Sequence, residues 1–166
     1  MLFKSIKSVA LIALGVVAIA EAHFVLQEPV SLGFDDDAEG TAPCGGFNAS
    51  SRLNVTNWPT SGGAVGVLTT HTTVQWEYKV ARLSNLTNWV SVTPTLNQTG
   101  VGNFCETLIP GKKAWEGESG VLQVIQHGVD GALYQCAAIK FVKPLRTAAL
   151  VPTGCTNSTG VTAQWI

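Results

Sequence analysis

Between Thr73 and Val80 every second side chain is apolar: Val74, Trp76, Tyr78 and Val80 alternate with Thr73, Gln75, Glu77 and Lys79. Successive side chains of an extended backbone point to opposite sides, so this period of two predicts a strand with one buried and one wet face. Shorter runs of strand character lie at 23–29, stopped by Pro29, and at 64–68, 89–92, 104–108, 120–126 and 132–142. Turn signals separate them, among them Asn97-Gln98-Thr99-Gly100, Pro110-Gly111 and Asp130-Gly131. No stretch keeps a helical period over three turns. Seven or so short strands punctuated in this way predict an all-β protein, an antiparallel β-sandwich. Residues 33–43 read as a solvated acidic loop (Asp35, Asp36, Asp37, Glu39), and residues 48–63 as a second loop rich in Asn, Ser, Thr and Gly. Between them Pro43-Cys44-Gly45-Gly46 reads as a tight turn whose glycines allow positive φ.

The first residues follow a different pattern. Lys4 and Lys7 precede an apolar run from Val9 to Ala20, and small residues stand at Ala20 and Ala22. This is the layout of a secretory signal peptide over 1–22, with cleavage after Ala22. The mature part then divides into a sandwich domain over 23–150 and a C-terminal tail over 151–166, tied back if Cys155 is bridged. No other apolar run reaches the roughly 18 residues of a membrane-spanning helix. The chain stops at Gln164-Trp165-Ile166 without the apolar tail of a glycolipid-anchor signal, so a membrane anchor is expected only in a longer form. Removing Lys4, Lys7 and Glu21 turns 10 basic and 11 acidic residues into 8 and 10, a formal charge of −2. With no clustered basic face, a nucleic-acid partner is not expected. Four cysteines (Cys44, Cys105, Cys136, Cys155) in an exported chain favour two disulfides, and three pairings are open. Sequons at Asn48, Asn54, Asn85, Asn97 and Asn157 fit a secreted or cell-surface glycoprotein.

Cleavage after Ala22 makes His23 the first mature residue. An N-terminal histidine offers a metal both its amine and its ring Nδ1, which close one chelate ring. The chain has two further histidines, His71 in a turn before the 73–80 strand and His127 at a strand end. If His71 meets His23 across the end of the sandwich, amine and two imidazoles form a T-shaped set of three nitrogens. That set suits Cu(II), which favours tetragonal nitrogen and oxygen ligation. The candidate metal ligands are therefore His23 and His71, and the candidate metal is copper.

Several motifs occur together in order: His23-Phe24-x-Leu26-x-x-Pro29, Pro43-Cys44-Gly45-Gly46, His71 before a strand, Asn103-Phe104-Cys105, and Leu133-Tyr134-Gln135-Cys136-Ala137. In this combination the chain resembles the fungal copper acquisition factor family, relatives of lytic polysaccharide monooxygenases. The resemblance implies an immunoglobulin-like β-sandwich with a histidine brace for copper. It also implies extracellular copper binding or uptake rather than polysaccharide oxidation, with a cell-surface copper transporter as partner and often a glycolipid tether. It favours Cys44–Cys136 with Cys105–Cys155, because the Pro43–Gly46 turn and the 134–138 strand are then both expected to border the copper. The family pattern continues Tyr-x-Cys-Ala-Asp, whose aspartate gives copper a carboxylate, and here that position is Ala138. Alternation puts Ala138 on the face of Tyr134 and Cys136, so the alanine is expected to face the metal. Either copper is held by the brace alone, or Asp130 or His127 at the hairpin just before replaces the carboxylate, or the site has weakened; an Asp-Gly hairpin is more often turn chemistry and a strand-end histidine more often a surface residue. The expected function is thus copper binding without enzymatic activity. The alternatives are a copper-dependent polysaccharide monooxygenase, against which the five scattered tryptophans speak, and a metal-free surface module that has lost its site.

Overall fold

The computed structural model describes residues 23–144 and 151–166; the signal-peptide expectation for 1–22 lies outside them. Among the described residues ten strands form two facing sheets, with one short 3-10 turn (Lys113–Trp115) between strands. The smaller sheet holds β1 (Phe24–Glu28), β3 (Gly63–Thr69) and β7 (Gly102–Ile109), in the order β1-β3-β7. The larger contains β2 (Val55–Pro59), β4 (Thr73–Arg82), β5 (Asn85–Ser91), β6 (Leu96–Thr99), β8 (Ser119–Gly128), β9 (Gly131–Val142) and β10 (Thr162–Trp165). Its order is β10-β6-β4-β8-β9-β2, with β5 beside the far end of β4. The expected sandwich is the observed one.

The alternation in β4 does what its period requires. Val74, Trp76, Tyr78 and Val80 are all buried between the sheets, facing Phe24, Leu26, Val65, Val67 and Phe104 of the smaller sheet. By contrast β8 is apolar on both faces because both are covered. Its outer face meets the 30–54 segment, which is pinned by the Cys44–Cys136 disulfide and by Gln123 Nε2 donating to Pro43 O (2.8 Å). Arg52 adds two bonds, to Gly120 O and Ile139 O, each 2.7 Å. A second disulfide, Cys105–Cys155, ties the C-terminal segment to β7. Both bridges are those the family resemblance favours.

Three differences from the sequence reading have physical causes. Within the 48–63 loop, β2 pairs in parallel with β9 (Val55↔Ala138 to Pro59↔Val142). Its asparagine and terminal proline hide it, yet Trp58 is buried in the core. The supposed Asn97–Gly100 turn is mostly strand β6, which turns only at Gly100, where φ is +102°. Residues 162–165 pair antiparallel with β6, and all four are exposed, so no apolar period marks them.

Phe24 meets Trp76 edge to face, with ring centroids 5.1 Å apart, fixing the start of β1 in the core. Phe24→Ala is expected to lower stability by about 3–5 kcal/mol, the range for deleting a buried aromatic ring. Urea unfolding measures it.

Candidate metal centre

One end of the sandwich gathers the residues that carry chemistry. The antiparallel pairing of β1 with β3 sets Phe24 opposite Thr69, which brings His23 beside Thr70. His23 N–H donates to Thr70 Oγ1 (3.0 Å), and Thr70 N–H and Oγ1–H both donate to His23 O (3.1 Å each). The His23 ring stands edge-on to Phe34, 6.4 Å between centroids. The next residue after Thr70 is His71, in the turn between β3 and β4, as its sequence context predicts. Chain neighbours of the two histidines are thus locked together by backbone bonds.

His71 is buried, its side chain 4% exposed, and its ring packs on the β8–β9 hairpin. Its Nε2 lies 2.7 Å from Asp130 Oδ1, and its Nδ1 lies 3.1 Å from Gln126 Nε2. Gly128 makes the room: a Cβ there would sit 2.6 Å from His71 Nε2 and 2.7 Å from Asp130 Oδ1. Asp130, the hairpin residue of an Asp-Gly pair, therefore does more than make the turn.

Beneath this end lies a polar layer that alternation alone does not announce. Gln135 faces inward from β9 and clamps β1: its Oε1 accepts from Leu26 N–H (3.0 Å), and its Nε2 donates to Phe24 O (2.5 Å). Gln135 Nε2 also reaches Glu39 Oε1 at 2.8 Å. Glu39 is 1% exposed, and its Oε2 accepts no hydrogen bond among the described residues. Burial pushes its pKa up to about 7, only partly offset by the Gln135 hydrogen bond, the charge of His23 and the Phe24 backbone amide. The acidic loop is therefore solvated at Asp35, Asp36 and Asp37 and buried at Glu39.

Other expected positions fall elsewhere. Ala138 is buried opposite Val121, on the face of β9 that carries Cys136 and away from the intersheet core. It stands seven residues up the ladder from Gly131, about 23 Å at the usual strand rise. The expectation that position 138 faces the metal is therefore corrected. The alternation was right, but the face of Tyr134 and Cys136 is the outer one, covered by the 30–54 segment. His127 also projects outward, pairing with Glu77 Oε1 at 2.9 Å rather than with His71. Of the two candidate replacements, only Asp130 meets a predicted ligand. The residues that sequence reasoning missed are Glu39, Gln126, Gln135 and Gly128. Gln126 and Gln135 did leave a signal, since each is a polar residue on the inward parity of an otherwise apolar strand.

Among the described residues, no three side chains of His, Cys, Asp and Glu cluster as a metal site. A site built here from His71 and Asp130 requires further donors, and the nearby His23 backbone nitrogen becomes one only if it is a free amine.

The family described as copper acquisition factor BIM1-like matches residues 21–160. The chain belongs to the BIM1-like copper acquisition factor family. An uncharacterized protein of Aspergillus fumigatus is 32% identical over 87% of this chain and 63% of its own length. A lytic polysaccharide monooxygenase-like protein X325 of Yarrowia lipolytica is 32% identical over 90% of this chain and 59% of its own. Copper acquisition factor BIM1 of Cryptococcus neoformans is 28% identical over 92% of this chain and 74% of its own. The chain spans about three fifths of the length of the first two. Membership in this family links the sandwich to copper.

In this copper acquisition factor relative, Glu39 makes the metal-free fold sensitive to pH. The unfolded chain releases the Glu39 proton near 4.5 and the folded chain near 7. Between those values the fold binds more protons, so stability falls as pH rises through the window. Glu39→Gln is expected to remove that slope. The variant should gain up to about 3 kcal/mol relative to the parent by pH 8, and almost nothing at pH 4. Urea unfolding of metal-free protein at pH 4, 6 and 8 checks it.

Proposed function

We propose that this chain is a secreted or cell-surface fungal protein that binds copper for extracellular copper acquisition, through a brace formed by His23 and His71. The observation that carries the reading is the contact between His71 Nε2 and Asp130 Oδ1, beside the His23–Thr70 backbone pairing. The two atoms that share a proton at 2.7 Å are both metal donors once that proton leaves. With the amine and ring of His23 they make a nitrogen-rich set with one carboxylate oxygen, which fits Cu(II). Asp130 takes the carboxylate role that Ala138 cannot. Signal cleavage after Ala22 is a condition of this reading, since an amide nitrogen is no substitute for an amine ligand. Two disulfides agree with export to an oxidising compartment, and four of the sequon asparagines (Asn48, Asn54, Asn85, Asn157) are exposed.

Copper here is cargo. Gln135 holds β1 in place, Gly128 gives the His71 ring its seat, and Asp130 neutralises part of the ion's charge. The recipient in this reading is a copper transporter at the cell surface. A non-enzymatic role is supported by the tryptophans: Trp58 and Trp76 are core, Trp115 packs on Phe141 and Trp89 on the Cys44–Cys136 cluster. Trp76, although packed on Phe24 next to His23, is fully buried, and Trp165 packs on Tyr78, so the five tryptophans are dispersed over the fold.

The test uses protein processed to His23. His71→Ala is expected to lower Cu(II) affinity by more than about 100-fold, and Asp130→Asn by about 10–100-fold. The parent should bind one Cu(II) and release no oxidised oligosaccharides from glucan, xylan or chitin with a reductant. Oxidised products would establish the monooxygenase reading instead, and no copper binding would establish the metal-free one.

A further inference from the structure

The buried side of His71 carries a device that the copper reading does not use. Gln126 is fully buried on the inward face of β8, between His71 and Thr69. Its Nε2 faces His71 Nδ1 at 3.1 Å, and its Oε1 accepts from Thr69 Oγ1–H. Thr69 Oγ1 in turn accepts from His71 N–H at 3.2 Å. With the Gln126 amide in this orientation, the contacts assign the His71 proton. An amide NH₂ only donates, so Nδ1 facing it is bare and the ring proton is on Nε2, donated to Asp130.

Binding a metal through Nε2 reverses that arrangement. Nε2 needs its lone pair, so its proton leaves to solvent and one arrives at Nδ1. The ring stays neutral, with no net proton exchanged. Nδ1–H would then point at the Gln126 NH₂, donor against donor. A half turn of the amide resolves the conflict at His71: Oε1 accepts from Nδ1–H and Nε2 donates to Thr69 Oγ1, whose own hydroxyl proton then turns away from Gln126. Glutamine alone among the ordinary side chains of this length offers both a donor and an acceptor on one rotor.

We propose that Gln126 is a positioning residue for His71. It holds the Nε2–H tautomer against Asp130 in the metal-free protein, and turns over to hold the Nδ1–H tautomer when Nε2 is given to a metal. A ligating imidazole is usually oriented by the partner of its second nitrogen, and here that partner has two settings. The inference rests on His71 as a ligand, but its metal-free half stands independently of copper.

Nitrogen-15 NMR of the His71 ring in purified protein tests it, metal-free and then with Cu(I) under exclusion of oxygen. The expected metal-free spectrum shows a protonated Nε2 and a bare Nδ1, with the Gln126 amide protons close to the His71 ring. With Cu(I), Nδ1 should carry the proton and the Gln126 amide protons should move next to Thr69. A proton already on Nδ1 without metal, or an amide that keeps its orientation in both states, overturns the proposal. If Cu(I) does not bind, the functional reading, which is tested with Cu(II), stands apart, and the metal-coupled half of this proposal is overturned while the metal-free tautomer still decides the first half. Variants separate positioning from packing. Gln126→Met should lose about 10–100-fold in Cu(I) affinity, whereas Gln126→Glu, whose carboxylate accepts Nδ1–H without turning, should retain most of it. Equal losses in both variants count against the proposal.

Discussion

The antiparallel pairing of the first described strand with β3 is the constraint on which the rest of this end depends. Without Phe24 opposite Thr69, neither the His23–Thr70 bonds nor the adjacency to the His71 turn exists. β1 is an edge strand of its sheet, so what holds it decides where His23 sits. Here the tie is threefold: a backbone ladder on one side, Phe24 against Trp76 below, and Gln135 bonded to Phe24 O and Leu26 N–H on the other side. The smaller sheet presents His23, and the larger sheet holds it there.

That arrangement leaves polar groups inside. Thr69, Gln126, Gln135 and Glu39 are all buried near the histidine end, where an apolar core would be simpler to satisfy. A buried polar group is tolerable when it is hydrogen-bonded and costly when it is not. The threonine and both glutamines are hydrogen-bonded: Gln135 to the β1 backbone and Glu39, Gln126 to the His71 ring and Thr69, and Thr69 to Gln126 and the His71 backbone amide. Glu39 is the exception, with one oxygen bonded and one not, which is why burial governs its protonation. The core is therefore apolar where it only has to fold and polar where it has to aim a residue.

How far the sequence reveals this follows from which signals are local. Alternation in 73–80 and the Gly-flanked turns define β4 and the sandwich, because a half-buried strand writes its burial into its period. His23 and His71 read as candidates from the signal-peptide pattern and the turn, whereas Asp130 reads first as turn chemistry and its contact with His71 emerges only in the fold. The parallel strand β2 and the exposed β10 are not legible, since their pairing is set by distant partners and not by their own composition. The misplacement of Ala138 has the same origin. Period two shows that residues 134, 136 and 138 share a face, but not which face; that depends on the 30–54 segment folding over the outside of β8 and β9. Glu39 is hidden for a related reason: in an acidic run it looks solvated, and only the disulfide-pinned turn that follows draws it under.

The central claim is that copper is held at this end with the amine of His23 among its donors. The most direct measurement compares Cu(II) affinity for protein beginning at His23 with that for protein carrying one additional residue before it. The added residue converts the amine to an amide while leaving every side chain in place. The account predicts a sharp loss of affinity and an EPR spectrum with fewer nitrogen ligands in the extended protein. Equal affinity and an unchanged spectrum would contradict it.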